Sequence, residues 1–162
     1  MIKKHISHID VYTDGSFSKQ NKIKLCGYGI YFPNGEFPNV SNNFTIKPLT
    51  NQRAELFSIY SAIKIIDDNC TCDSIMIYSD SEYSIKSVSV WIDGWKKNGW
   101  VTKGKKPVLN QDIILSIDKY LDSPQYKNKI KFTHVKAHTK NNDVHSINND
   151  IADKLAKAGS KI

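Results

Sequence analysis

The sequence has no long apolar run, few cysteines and almost no arginine. No stretch approaches the roughly 18 apolar residues that a membrane-spanning helix needs, so we expect no membrane segment. The basic first residues are not followed by an apolar targeting segment or a cleavage site, which favours an intracellular protein of the cytoplasm or nucleus. Cys26, Cys70 and Cys72 cannot all pair and lack the second cysteine pair of a structural zinc site, so we expect reduced thiols.

The chain has enough hydrophobic residues for one core and an excess of positive charge. It contains 162 residues, of which 40% are hydrophobic and 24% are charged. A chain of this size buries roughly 68 to 70% of its unfolded surface, and no linker or low-complexity tract divides it. We therefore expect a single domain over residues 1–162, and a monomer. The net charge of +7 suits a polyanionic partner, but it is equally compatible with a basic surface that only keeps the protein soluble.

The pattern of apolar residues predicts a mixed α/β protein. Alternation over residues 9–15 indicates a first strand that ends at Gly15, and 25–32 and 36–46 predict a hairpin around Pro33-Asn34-Gly35. Thr50 is placed to cap a helix that runs to about Asp68. The remaining elements are a strand over 74–79, a short helix capped by Ser81, a helix after Pro107, a strand over 130–135, and a final helix after a polar loop over 136–149. The order βββαβααβα predicts a five-stranded mixed sheet flanked by helices.

Four carboxylates stand out because an unpaired acid is costly where each is expected to lie. Asp14 and Asp80 end apolar strands, Glu55 lies on the edge of a helix's apolar stripe, and Asp153 is expected near the first turn of the last helix. Each acid alone is more typical of a helix cap or a surface charge. If the first and fourth strands are neighbours, however, Asp14 and Asp80 meet at one edge of the sheet. Like charges about 4 Å apart repel by about 4 kcal/mol at an effective dielectric constant of about 20, so converging acids require a cation. The set of acids therefore predicts a metal-dependent phosphodiesterase.

Short motifs surround each of these acids. In chain order they are Tyr12-Thr-Asp14-Gly15-Ser16, Thr50-Asn-Gln-Arg-Ala-Glu55-Leu56, Tyr78-Ser-Asp80-Ser81, Trp91, Gly94-Trp-Lys-Lys-Asn-Gly-Trp100, Val135-Lys-Ala-His138 and Asn149-Asp-Ile-Ala-Asp153-Lys-Leu-Ala156. Together and in this order, the motifs resemble those of the type 1 ribonuclease H family, and they cover nearly the whole chain. The resemblance implies the ribonuclease H-like fold, here without the separate hybrid-binding domain that some members carry.

The resemblance implies a metal-dependent endonuclease that hydrolyses the RNA strand of RNA/DNA hybrids. Two Mg²⁺ or Mn²⁺ ions would act together and leave 5′-phosphate and 3′-hydroxyl ends, as suits paired oxygen-ligated cations. Asp14, Glu55, Asp80 and Asp153 would hold the ions. His138 would assist proton movement or product release, although His145 is close enough in sequence to take its place. The loop between His138 and Asp153 is longer than is usual in the family and lacks its customary glycine.

The resemblance also implies a set of substrate-binding residues. They are Trp91, Trp95, Lys96 and Lys97 in a basic protrusion over 91–106 that grips the DNA strand, Tyr83 as a further aromatic residue of that channel, Asn51 and Gln52 in the minor groove, Thr50 and Asn149 in a phosphate pocket, and Gly15 and Ser16 beside Asp14. Aromatic faces pack on sugars or bases, lysines neutralise phosphates, and amides can recognise a 2′-hydroxyl. Trp100 is expected in the core. The pocket's arginine position is occupied by Pro48, with Lys47 adjacent.

Two other functions are compatible with the same fold. One is a hybrid-binding or other nucleic-acid-binding module with a weak or decayed catalytic centre, against which the complete set of acids argues. The other is a DNA-cutting or strand-transferring relative. Asn51, Gln52 and the basic protrusion favour the hybrid enzyme over both.

Overall fold

The protein is built on a mixed sheet of five strands in the spatial order β3-β2-β1-β4-β5. The computed structural model describes residues 2–137, 139 and 142–162. The strands are β1 (Lys4–Gln20), β2 (Ile23–Tyr31), β3 (Val40–Asn43), β4 (Cys70–Ser79) and β5 (Ile130–His134). β1, β2 and β3 form an antiparallel meander, and β4 lies parallel to both β1 and β5. The predicted five-stranded mixed sheet is confirmed.

The helices occupy the connections after β3, β4 and β5. They are α1 (Asn51–Asn69), α2 (Glu82–Lys86), a π-helical turn (Ser87–Trp91), α3 (Ile92–Asn98), α4 (Gln111–Leu121) and α5 (Val144–Gly159). Because α2, the π-helical turn and α3 follow one another directly, they count as one helix, and the element order agrees with the predicted order. Within the described residues, every helix is too short or too polar to cross a membrane.

β1 does not end at Gly15 as predicted. It continues to Gln20, paired with β2 from Tyr12 opposite Tyr31 to Gln20 opposite Ile23. Gly15 serves close packing, because a Cβ atom there would lie 2.5 Å from the backbone nitrogen of Glu55 on α1. The prediction failed because it interpreted this glycine as a turn residue.

Two further boundaries, both near prolines, differ from the predicted ones. β3 covers only four residues of the predicted strand 36–46, and Pro38, which has no N–H for a ladder, precedes it. Pro107 does not begin a helix but forms an isolated bridge with Val101, and α4 begins at Gln111.

The last helix begins well before the predicted position. Asp143 caps α5, since its carboxylate accepts a hydrogen bond from the Ser146 amide at 2.9 Å. The prediction of a loop over 136–149 is therefore wrong for its second half, and Asp153 lies in the third turn of the helix rather than near the first. The connection before α5 is correspondingly shorter than the sequence indicated.

Helices cover both faces of the sheet, α1 on one face and α5 on the other. Gly15 and its partner Tyr28 face α1, where Tyr28 packs against Phe57 at a ring-centroid distance of 5.1 Å. Gly29, opposite Asp14, faces α5, and a Cβ atom on it would lie 2.5 Å from a carbonyl oxygen of that helix. Since paired residues of a sheet point to the same face, Asp14 is on the α5 side while Glu55 reaches it from α1.

Candidate active site

Three of the four predicted acids meet at the edge where β1 and β4 stop pairing. The parallel ladder of these strands ends with Thr13 opposite Ser79, so Asp14 and Asp80 are the next residue on each strand. Glu55 lies in the second turn of α1, which packs against β1. Carboxylate oxygens of Asp14, Glu55 and Asp80 lie within 4.8 Å of one another. The expected neighbourhood of β1 and β4 is thereby confirmed.

Burial and mutual repulsion make the ionised form of this cluster costly. Asp14 is 2% exposed and Glu55 5% exposed. Burial, followed by the charges of Glu55 and Asp80, raises the pKa of Asp14 to about 11. Burial and then the charge of Asp80 raise the pKa of Glu55 to about 8, against hydrogen bonds from Asp14 and the Gly15 amide that lower it. Without a cation the cluster therefore retains protons near neutral pH.

One buried oxygen of the cluster is available to an additional partner. Glu55 Oε2 has no hydrogen-bond partner among the described residues. Asp14 Oδ1, by contrast, accepts from the Gly15 amide at 2.9 Å. An acceptor atom buried beside two other carboxylates fits a divalent cation, which replaces the missing hydrogen bond and neutralises the repulsion.

Asp153 is close to the cluster but engaged elsewhere. Its carboxylate forms an ion pair with Lys157, one turn further along α5, at 3.0 Å. Its charge nevertheless contributes to raising the pKa of both Asp14 and Glu55. It lies outside the group of three oxygens within 4.8 Å, so its predicted role as a ligand stays a prediction.

The two histidines differ in what the structure shows. His138 lies outside the described residues. His145 belongs to α5 and not to a loop, and its Nδ1 atom is 2.6 Å from the hydroxyl of Tyr12. Asn149 lies one turn further along α5 and donates from Nδ2 to Asp80 Oδ2 at 3.2 Å. Asn149 Oδ1 is buried without a hydrogen-bond partner in the described part of the chain.

The two residues of the predicted phosphate pocket form hydrogen bonds within the protein. Thr50 caps α1 by accepting a hydrogen bond from the Arg53 amide at 3.1 Å, and the Nδ2 atom of Asn149 donates to Asp80. Their contacts with a phosphate stay predictions. Beside Thr50 lies Arg53, the single arginine of the chain, which is 3% exposed. Its guanidinium donates two hydrogen bonds of 2.8 Å to Asp112 and a longer one of 3.5 Å to the Lys47 carbonyl.

Asn51 and Gln52 are the first two residues of α1, and both are exposed. Asn51 is one helical turn before Glu55, so its amide lies on the same side of α1 as that acid. Gly15 is buried against α1 and offers no side chain to a substrate, whereas Ser16 is half-buried on the α5 face opposite Gly27. The substrate contacts of these four residues stay predictions.

The predicted protrusion is part of a row of aromatic rings that runs from α2 through the π-helical turn and α3 to Trp100, just after α3. Ring centroids are 6.0 Å apart between Tyr83 and Trp91, 6.0 Å between Trp91 and Trp95, and 5.9 Å between Trp95 and Trp100. Trp91 is 39% exposed, whereas Trp95 and Trp100 pack against the core, Trp100 as expected. The row thus presents one broad exposed face at Trp91.

The two lysines predicted to bind substrate in this segment differ in their contacts. Lys96 forms an ion pair of 2.6 Å with Asp118 on α4, which ties the protrusion to that helix. Lys97 is exposed. Sequence reasoning missed Asn110, whose Nδ2 atom donates to the hydroxyl of Tyr83, the first ring of the aromatic row, at 2.9 Å. Its position just before α4 was the available signal, since asparagine is common at helix N-termini.

A five-stranded mixed sheet that brings three carboxylates together defines an α/β protein with an acidic centre whose oxygen atoms could hold a metal ion. The RNase H family model matches residues 7–161, and the chain belongs to the ribonuclease H family. It is 41% identical over 138 residues to a probable ribonuclease H of Acanthamoeba polyphaga mimivirus, a match that covers 83% of this chain. It is also 32% identical to the ribonuclease H of Actinobacillus pleuropneumoniae, covering 94% of this chain and 90% of the relative.

Several of the relatives are longer than this chain. The chain spans 58% of the mimivirus protein and 49% of human ribonuclease H1, to which it is 33% identical over 93% of its own length. Among solved structures, the ribonuclease H domain of prototype foamy virus matches with a TM-score of 0.66 and 31% identity over 94% of both chains. A foamy viral protease-reverse transcriptase in complex with RNA/DNA hybrid matches with a TM-score of 0.74 and 26% identity, covering 94% of this chain and 20% of that one.

Proposed function

We propose that the protein is an endoribonuclease that hydrolyses the RNA strand of RNA/DNA hybrids. The observation that carries the proposal is the convergence of Asp14, Glu55 and Asp80 in a member of the ribonuclease H family. Relatives named ribonuclease H support the type of reaction. A structural relative solved in complex with RNA/DNA hybrid supports the substrate.

Mg²⁺ or Mn²⁺, two ions per site, fits the chemistry of this cluster. Asp14, Glu55 and Asp80 offer only oxygen ligands, which hard divalent cations prefer. Two ions held by these acids would supply an activated water and stabilise the leaving oxygen, and the products would carry 5′-phosphate and 3′-hydroxyl ends. The orphan Oε2 atom of Glu55 supports the fit, because it lacks any other partner in the described part of the chain.

Asp153 and His138 complete the proposed centre. Asp153 would serve as a further ligand by exchanging its ion pair with Lys157, whose side chain is 57% exposed and free to move into solvent. His138 would assist proton movement or product release, a role that rests on the family motif. Asn149 holds Asp80 through its amide and keeps Oδ1 as an acceptor toward the substrate.

The substrate would lie across the N-terminus of α1 and the aromatic protrusion. Asn51 and Gln52 are exposed beside Glu55, where amides that donate and accept can recognise the 2′-hydroxyl groups of the RNA strand. Trp91 offers an exposed ring to the DNA strand, and Lys97 offers a free cation to its phosphates. Lys96 would contribute mainly by fixing the protrusion on α4.

A single assay separates this function from its alternatives. Labelled RNA/DNA hybrid, double-stranded DNA, double-stranded RNA and the single strands are each incubated with the protein and Mg²⁺, with matched samples in chelator. We expect cutting of the RNA strand of the hybrid alone, and only with metal. Binding of the hybrid without cutting would point to a binding module, and cutting of double-stranded DNA would point to a DNA nuclease of the same fold.

A further inference from the structure

His145 on α5 connects the start of that helix to the two strands that carry Asp14 and Asp80. Its Nδ1 atom is 2.6 Å from the Tyr12 hydroxyl on β1. Its ring lies over Tyr78 on β4, with centroids 4.9 Å apart and an interplanar angle of 33°. Tyr12 and Tyr78 are themselves stacked at 4.5 Å and 12°. One imidazole thus contacts both strands.

The Tyr12 hydroxyl is met by two side chains of α5. It forms a hydrogen bond with His145 Nδ1, in which the tautomer of the imidazole sets which atom donates. The side chain of Asn148, three residues further along α5, forms a second hydrogen bond with Tyr12. The hydroxyl on β1 is therefore a shared attachment point for the N-terminal half of the helix.

His145 contacts each of the two strands two residues before the acid that the strand carries. Tyr12 precedes Asp14 by two positions on β1, and Tyr78 precedes Asp80 by two on β4, so each tyrosine shares a sheet face with its acid. On α5, His145 is one turn before Asn149, whose amide is bonded to Asp80. The imidazole is therefore part of the same helix-to-sheet contact as the acid cluster.

The two halves of α5 are attached to the sheet in different ways. The C-terminal half packs closely on glycines of β2, where Gly29 faces Ala152 and Ala156, and Ser41 on β3 donates to the Leu155 carbonyl at 2.7 Å. In the N-terminal half, Val144 is 61% exposed and Ile147 is 50% exposed. The described attachments of that half to β1 and β4 are made by polar and aromatic side chains, which are those of His145, Asn148 and Asn149.

We propose that His145 is a positioning residue that holds the N-terminal half of α5 over β1 and β4, and so keeps Asn149 and Asp153 in place around Asp14 and Asp80. The inference rests on the proposed function for its effect on turnover, but the anchoring itself does not. It also separates the two histidines of the sequence: His145 acts through Tyr12 and Tyr78 and carries no proton to the substrate.

The first test compares variants that remove the hydrogen bond or the ring separately. Tyr12→Phe keeps the stacking on Tyr78 and loses the hydroxyl, and His145→Phe keeps a ring and loses the hydrogen-bonding nitrogen. His145→Asn restores a polar atom at the place of Nδ1, because its amide atoms are the same number of bonds from Cα and can donate or accept. His5→Phe is the matched control, since His5 is an exposed histidine of β1 bonded to Thr71 and Asp73.

Hybrid cleavage is measured at a temperature at which all variants are folded by circular dichroism. We expect Tyr12→Phe and His145→Phe each to lower kcat by roughly ten- to a hundredfold with KM little changed, as a displaced catalytic group does. The double variant should lose no more than the worse single one, His145→Asn should recover part of the loss, and His5→Phe should match the parent. Equal inactivity of His145→Asn and His145→Phe beside a fully active Tyr12→Phe would overturn the proposal in favour of a proton-carrying role.

Amide hydrogen exchange of the metal-free protein tests the anchor independently of cleavage. In Tyr12→Phe and His145→Phe, amides of residues 148–150 should exchange faster, while those of 155–159 keep the parent's rates. Unchanged exchange at 148–150 in both variants would refute the anchoring even if the parent cuts hybrids. If the two variants exchange faster than the parent at 148–150 but the parent itself cuts no hybrid, the anchoring is supported and the proposed function is refuted.

Discussion

Replacing Asp14 by asparagine should stabilise the metal-free protein. Asp14, Glu55 and Asp80 are crowded within 4.8 Å, and burial raises the pKa of Asp14 to about 11 and that of Glu55 to about 8. A carboxyl whose pKa is higher in the folded state binds its proton more tightly there than in the unfolded chain. The contribution of such a carboxyl to the free energy of unfolding is therefore fully present below its unfolded pKa near 4. That contribution is lost as the pH rises through the folded pKa.

The size of the effect follows from these pKa values. At pH 7, a rise in the pKa of Glu55 from 4.5 to about 8 corresponds to about 3 to 4 kcal/mol of lost stability, at about 1.4 kcal/mol for each unit between 4.5 and the working pH. Neutralising Asp14 removes its own cost and lowers the cost of ionising Glu55. For Asp14 the same rule gives an upper bound of about 6 kcal/mol at pH 8, and the bound is not reached because the neighbouring carboxyls share the cost of ionisation. We expect Asp14→Asn to raise the free energy of unfolding by about 2 to 4 kcal/mol at pH 8, or roughly 5 to 15 °C in Tm. Asparagine Oδ1 can still accept from the Gly15 amide.

Urea unfolding of parent and variant in chelator, at pH 4 and at pH 8, measures this difference. The variant's advantage should be large at pH 8 and close to zero at pH 4, where the parent's carboxyls are already protonated. Adding Mg²⁺ at pH 8 should narrow the gap by stabilising the parent. Asp68→Asn, which changes an exposed acid paired with Lys64, should show little advantage at either pH. A variant less stable than the parent at pH 8, or an advantage independent of pH, would refute the electrostatic reasoning.

Three further predictions concern packing and substrate binding. Gly15→Ala should cost about 1 to 3 kcal/mol in urea unfolding, because the new Cβ would lie 2.5 Å from the Glu55 nitrogen, and a parent-like stability would contradict that contact. Trp91→Ala should weaken hybrid binding by about 1 to 3 kcal/mol in fluorescence anisotropy, with the cutting rate at saturation little changed. Lys97→Gln should lower the slope of log affinity against log salt by about one, whereas Lys96→Gln, whose parent lysine is paired with Asp118, should change it less.

Sequence reasoning succeeded where local chemistry decides the structure. Thr50 and Ser81 cap their helices as predicted, since a hydroxyl before an apolar helical stripe has few other uses. The proximity of Asp14 and Asp80, which follow the last paired residues of neighbouring strands, could also be anticipated, because strands that alternate with helices tend to lie parallel. These features place the acid cluster before any coordinates are known.

Sequence reasoning failed at Gly15, because glycine serves both turns and close packing, and at the start of α5. Gly15 resembled a strand end but allows α1 to approach β1, which only the packing of the two elements reveals. The start of α5 was missed because its first turn, from Val144 to Ile147, is mostly exposed and so lacks an apolar stripe. His145 was consequently assigned to a loop, and its contacts with Tyr12 and Tyr78 come from elements distant in the sequence.

Cleavage of hybrid by Asp80→Asn tests the central claim most directly, namely that Asp14, Glu55 and Asp80 together hold the metal ions that cut RNA. Binding of a labelled hybrid is measured beside cleavage, both in Mg²⁺. The account predicts that the variant binds the hybrid about as well as the parent and leaves the RNA strand intact. Cutting by the variant at a rate near that of the parent would contradict it.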